Sequence, residues 1–305
     1  MHVASLLHAV GGNKMLEIKR PEYSASAVFK ECIFVKRDQN LKTRLEGITA
    51  DIVAAETTYD KKAKSFAFYE IKTEHGIGKS VTTSEMEDLY VTVFARKSSP
   101  VRKKYYDELM LTPENGTCPM CGQRDASTLD HYLPKAKNPR LAVTPINLVP
   151  ACKECNHTKW EYHPETADRQ FIHPYYDKLP AGIWLVADLE QSKPPALRFR
   201  ISPPLGCDET LAKRLVWHFK ELNLAKLYAS QAGKTLAGIA DKLKAASDRG
   251  GKNEVRFVLG EDARSWSKAN QNGWQAAMYR TLESSDWFCE EGYAFAGEKH
   301  KRDEK

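Results

Sequence analysis

The stretch TCPMCGQRDASTLDHYLPKAKNPRLAVTPINLVPACKECNHTKW, residues 117–160, decides how the rest of the chain is read. It holds two Cys-x-x-Cys pairs, Cys118/Cys121 and Cys152/Cys155. Each pair can turn two thiolates toward one ion, and two pairs complete the closed tetrahedral shell of a structural zinc. A plain zinc ribbon separates its pairs by roughly 15–20 residues, whereas 30 intervene here. The excess is an insertion with content of its own. Within or beside it lie Asp130, His131, Asn147 and Asn156.

Asp130 and His131 are neighbours in a β-type segment, so their side chains diverge unless the strand ends there. Pro150 suits a first helical turn, which predicts a helix from Ala151 to about Trp160. In that helix Cys152 and Cys155 stand at i and i+3, and Asn156 is four residues on from Cys152. An ion held by the cysteines would clamp one helix face and leave Asn156 at its edge. Apparent zinc binding in small Cys/His peptides is about 10–16 kcal/mol. That is enough to hold a module with too little core to fold alone, so the zinc is read as structural and not catalytic.

Three blocks now stand in order: Leu129-Asp130-His131-Tyr132-Leu133-Pro134-Lys135, then Ile146-Asn147-Leu148, then Cys152-Lys-Glu-Cys155-Asn156-His157-Thr158-Lys159. Together with the zinc pairs they resemble an HNH endonuclease, a ββα-metal nuclease stapled here by a Cys₄ zinc. The resemblance covers roughly 45 of 305 residues and leaves both flanks unassigned. It implies that Asp130 and Asn156 bind one divalent ion, Mg²⁺ or Mn²⁺. It further implies that His131 is the general base acting on water, and that Asn147 orients His131 through a hydrogen bond. The products would carry 5′-phosphate and 3′-hydroxyl ends. Hard oxygen ligands suit Mg²⁺, and an imidazole of ordinary pKa near 6.5 suits proton transfer at neutral pH. Lys135 and Lys159 are candidates for contact with nucleic-acid phosphates, DNA ahead of RNA.

Each assignment has a plainer competitor. Asp130-His131 in isolation reads as a strand-end pair, Asn147 as a turn cap, and Lys135 and Lys159 as surface lysines. His157, rotated about 100° from Asn156 on a helix, is an alternative ligand. His173 could approach from the following segment or be a packed structural histidine, and His218 falls in an apolar helix. The competing function is a non-catalytic zinc module that binds nucleic acid or a protein partner. Zinc binding alone requires none of the four polar positions, and this favours the nuclease.

The composition is that of an ordinary globular protein, with 42% hydrophobic and 10% aromatic residues. The net charge of +6 is mild and spread along the chain, so a polyanionic partner is permitted but not demanded. Cys32, Cys207 and Cys289 are left over from the zinc set, which argues against a disulfide framework and fits a reducing cytoplasm. No run reaches the roughly 18 apolar residues of a membrane span.

The predicted fold class is α+β, mostly α-helical, with a small zinc-stapled module between helical regions. Residues 1–14 are read as a leader or disordered end, 15–112 as a helical region, and 113–165 as the HNH module. Residues 166–205 are expected to form an irregular segment and a hairpin, and 206–305 a helical domain. Ser24 is expected to cap the first helix, and Leu41 to Ala55 to form a second helical run. Ser65–Ile71 is expected as a short strand, and Thr83-Ser84 as a helix start. Ser99-Pro100 opens a helix from Val101 to Met110, whose basic and aromatic Val101–Tyr106 cluster is read mainly as a solvated face over core tyrosines. Strand-like runs cover 182–187 and 196–201. Helices are expected from Asp208 with a restart at Asn223 and a stop at Gly250-Gly251, then over 253–259 and 261–282, and the last seven residues are expected to fray. Because HNH effectors occur in anti-phage systems, the resemblance also suggests an ATPase or sensor partner docking on the flanks. Homodimerisation is a further option.

Overall fold

The computed structural model describes residues 17–78 and 80–298. The expectations for the first 14 residues and the last seven lie outside them. The fold is mostly helical α+β with two small two-stranded sheets among the described residues. Two compact units emerge, one of Leu16–Lys178 with Lys213–Leu222, the other of Leu179–Ala212 with Asn223 onward.

The first unit begins with α1 (Ala25–Phe34), whose Ser24 cap accepts from Ala27 N–H. The second helical run divides at Ile48 into α2 (Gln39–Gly47), capped by Asp38, and α3 (Thr49–Lys64). Ser65–Ile71 is not a strand: Phe66 takes a positive φ of 53°, and Phe68–Glu70 forms a single helical turn. The reason lies far along the chain. Gln170 accepts from Phe68 N–H at 2.9 Å and donates to Phe66 O at 2.7 Å, so a side chain serves backbone groups that a strand partner would otherwise satisfy.

Thr82 and Glu85 form a reciprocal capping box at the start of α4 (Thr83–Leu89), one residue before the expected cap. The helix continues through a widened turn, Tyr90–Phe94, and a second widened turn, Arg102–Tyr106, leads into α5 (Asp107–Met110). Tyr105 and Tyr106 are buried, in line with the plainer reading of that cluster. The apolar faces of these helices form one core that also takes in Leu129, Ala142, Val143 and Leu148 of the central module. The N-terminal helices are thus the floor on which the module rests.

That module is β1 (Thr128–His131) paired antiparallel with β2 (Leu148–Ala151), followed by α6 (Lys153–Lys159). Pro150 lies in β2 opposite Leu129, not in the first turn of the helix. Both strands of a two-stranded sheet are edges, where a missing N–H is tolerated. Cys152 takes the capping place instead, its sulfur accepting from Cys155 N–H at 3.3 Å.

Residues 213–222, most of α7 (Glu209–Glu221), belong to this unit. Arg214 reaches Asp177 with both guanidinium nitrogens at 2.6 Å, and both side chains are buried. His218 accepts from Ile172 N–H on Nδ1, which assigns the other ring proton to Nε2. That nitrogen donates to Met120 O at 2.7 Å, inside the first cysteine pair.

In the other unit, β3 (Leu185–Glu190) and β4 (Ala196–Ile201) form a hairpin against α8 (Leu224–Asn270) and α9 (Trp274–Ser284), with α10 (Asp286–Glu290) following. Asn272 accepts from Trp184 and Leu185 N–H and ties the hairpin to the α8–α9 bend. The chain breaks helical geometry at Gly250 and Gly251, where Gly251 has φ 62° and ψ −151°. The expected second break near 260 falls at 271–273 instead. Gly260 stays helical within α8, and Glu283 Oε1 lies only 2.6 Å from where a Cβ would stand there.

Candidate active site and metal centre

Four thiols meet where the Cys118–Cys121 loop approaches the start of α6. The sulfurs of Cys118, Cys121, Cys152 and Cys155 all lie within 4.8 Å of one another, and all four residues are buried. No disulfide links the described cysteines. Thiol hydrogen bonds from Cys118 favour ionised Cys121 and Cys152, the latter brought down to about 6. Backbone N–H groups of Arg124 and Cys155 also donate to Cys121 and Cys152 sulfurs. A tetrahedral ion with ligand bonds near 2.3 Å fits such a cluster, so the four residues can hold one metal ion.

The second centre is a cleft of about 350 Å³ lined by Asp130, His131, Lys135, Lys153, Asn156 and Trp160, among others. β1 ends at His131, and this lets neighbouring side chains face one cleft despite strand alternation. His131 Nε2 lies 2.8 Å from Ala142 O. A carbonyl can only accept, so Nε2 carries the proton and Nδ1 the lone pair. The Tyr90 ring packs edge-on against the imidazole at 4.4 Å between centroids. Burial pushes the metal-free His131 down to about 3, against the opposing pull of the Ala142 carbonyl.

Asn147 does not touch His131. Its Oδ1 accepts from Leu133 N–H at 2.8 Å, while Nδ2 donates to Leu133 O and Leu141 O. It pins both ends of the 133–141 loop and thereby places Ala142, which makes the contact expected of Asn147. The sequence could not show this, because a backbone carbonyl leaves no signature in residue type.

Asn156 donates from Nδ2 to Thr128 Oγ1 at 3.1 Å, which turns Oδ1 the other way as an oxygen donor. Asp130 is buried and burial raises it to about 6, with Lys159 pulling in the opposite direction. Lys159 is not the surface lysine that the sequence suggested. Its ammonium is buried, 3.2 Å from Asp130 Oδ2 and 2.6 Å from His131 O. Lys135 lines the cleft but pairs with Glu87 at 3.2 Å. Lys153, at the start of α6, is exposed in the cleft and went unnoticed in the sequence. So did Trp160, the residue after the motif's last lysine.

His157 lines the same cleft and is exposed. His173 does not reach it. It is fully buried, 2.9 Å from Tyr59 OH and packed on Tyr132 and Phe68. His218 bonds Met120 O in the Cys118–Cys121 loop and does not line the cleft. No helix among the described residues is long and apolar enough to cross a membrane.

Comparison with known proteins bears on this site directly. Residues 118–161 match the family model of the HNH endonuclease. Protein ea31 of Escherichia phage lambda is 35% identical over 164 residues, which cover 52% of this chain and 55% of that protein. The chain thus spans about half the length of that relative. No solved structure matches it. The cysteine cluster and the cleft fall inside the matched residues, and the segment from Cys118 to Glu161 is a member of the HNH endonuclease family.

Proposed function

We propose that the chain is a metal-dependent endonuclease that hydrolyses phosphodiester bonds of nucleic acid, with DNA preferred over RNA. The observation that carries this reading is the convergence of Asp130, His131 and Asn156 on one cleft. His131 is the general base. With Nε2–H committed to Ala142, the Nδ1 lone pair is the one that takes a proton from water. The same carbonyl then stabilises the imidazolium as it forms. An incoming phosphate anion raises the basicity of a ring that burial alone keeps too weak.

Asp130 and Asn156 supply one carboxylate and one amide oxygen, a hard donor set that suits Mg²⁺ or Mn²⁺ with waters retained. When bound there, such an ion supplies Lewis-acid charge at the scissile phosphate. Lys159 holds Asp130 in place and half-neutralises it. Lys135 and Lys153 put positive charge on the cleft wall. The cysteine set holds a structural zinc whose role is to fix α6, and hence Asn156, relative to β1.

One observation favours the competing reading of a non-catalytic zinc module. Asp130 already has a cation beside it in Lys159. Incubation with supercoiled plasmid, single-stranded DNA and tRNA in Mg²⁺ or Mn²⁺ separates the two. A nuclease with His131 as base loses about 10²–10⁴-fold in rate as His131→Ala. Wild type and His131→Ala equally inert on all three substrates would leave only the binding module.

A further inference from the structure

Trp160 combines two unfavourable features in one residue. Its side chain is 68% exposed on the wall of the cleft. Its backbone stands at φ 44° and ψ −130°, a left-handed conformation that a bulky side chain rarely adopts. The cause of the conformation is visible. Tyr162 N–H bonds to Lys159 O at 2.9 Å, so residues 159–162 close a tight turn with Trp160 as its first central residue. Those angles are the ones of a type II′ turn, a position dominated by glycine. Glycine there would remove both the strain and the exposed indole.

Strain of this kind persists where the surroundings over-determine it, and it concentrates at working sites. Here the surroundings are well defined. Lys159, the preceding residue, is buried and fixed to Asp130 and His131 O. Trp160 N–H bonds to Asn156 O at 2.9 Å. The Trp160 backbone is therefore anchored beside the residues proposed to bind the ion, and its indole lines the same cleft. Among the described residues its ring neighbour is His157, edge-on at 5.8 Å, and the side chain stays 68% exposed. Lys153 stands in the same cleft with an exposed ammonium.

A flat, open aromatic surface beside a phosphate-directed cation is what proteins use to hold single strands. Any base has a π-face, so such contact tolerates sequence. A duplex keeps its bases stacked on one another and out of reach. We infer that Trp160 is a stacking platform for an unpaired nucleobase next to the phosphodiester in the cleft, directing the site to single-stranded or locally opened nucleic acid. This rests on the nuclease reading and adds a substrate class to it.

The test measures binding apart from cutting. Full-length His131→Ala protein with Mg²⁺ is titrated, by fluorescence anisotropy, into labelled 20-nucleotide DNA as a single strand, as a duplex, and as a single strand with central abasic sites. Adding Trp160→Ala should weaken single-strand binding about tenfold. Trp160→Phe should recover most of it, and the abasic strand should bind the parent protein as poorly as the intact strand binds the alanine variant. Trp160→Gly should raise the unfolding midpoint by about 2–4 °C while losing the same affinity.

Equal affinity for the intact strand with and without the indole overturns the inference, as does equal loss on the abasic strand, or no binding to any of the three. If binding depends on Trp160 but wild type cuts nothing, the inference stands and the nuclease reading falls. If wild type cuts and binding ignores Trp160, the reverse holds.

Discussion

Asn147 shows how far a residue's chemistry can be from its apparent neighbour. It acts on His131 only through the loop it staples, by way of Ala142. Asn147→Ala leaves backbone groups of Leu133 and Leu141 without partners in a buried site, at about 3 kcal/mol. Urea denaturation should register that loss. A misplaced Ala142 should also lower kcat about 10²-fold with little change in KM, since Asn147 does not line the cleft. Asp130 gives a second expectation at this scale. Its carboxyl titrates near 6 because it is buried, so protons compete with the divalent ion below that pH. The concentration of Mn²⁺ needed for half-maximal binding, read by calorimetry, should rise about tenfold per unit of pH below 6 and be flat above 7. Residue type announced the polar set, the four cysteines and their order. It named Lys159 but not its burial against Asp130, because a lysine whose ammonium is buried looks the same in sequence as one in water.

Among the elements, α6 bears the most weight. Its start is fixed by Cys152 and Cys155, its middle offers Asn156, and its end buries Lys159 against β1. Lys159→Ala breaks a buried ion pair and should cost about 3–5 kcal/mol, visible as a lowered midpoint in calorimetry. Removing the metal proposed at the four cysteines should cost more. Cys152→Ser, or a strong chelator, is expected to melt the ββα module and abolish Mn²⁺ binding at Asp130 and Asn156 together, followed by circular dichroism and by metal titration. Elements with local causes were legible from sequence. Ser24 capped α1, the run at 196–201 became β4, the run at 182–187 overlaps β3 only from Leu185 on, and Gly250-Gly251 interrupted α8. Elements with distant causes were not. Phe68 gave up a strand for a turn because Gln170 reaches it from 102 residues away, and Pro150 joined a strand because a two-stranded sheet has only edges.

For the molecule as a whole, histidine burial sets the response to acid. His131, His173 and His218 are all buried and pushed below the ordinary histidine range by burial, to about 3 for His131 and about 4 for His218. In the unfolded chain they take up protons near pH 6.5. The stability they contribute is complete above that value and is lost as pH falls through 6.5 toward their folded values. Asp130 has the opposite sign, since its raised value favours the folded form at pH below about 6. Three groups outweigh one, so the thermal midpoint of the metal-free protein should fall steadily from pH 7 to pH 5. The path of the chain adds a constraint in time. Unit one ends at Lys178 and is completed only by Lys213–Leu222, whose Arg214 and His218 grip Asp177 and the Met120 carbonyl. On the ribosome, every residue of the cleft emerges well before that clasp does. The β3–β4 hairpin of the other unit is therefore synthesised before the segment that completes the first one, so the first unit gains its Arg214 and His218 anchors late.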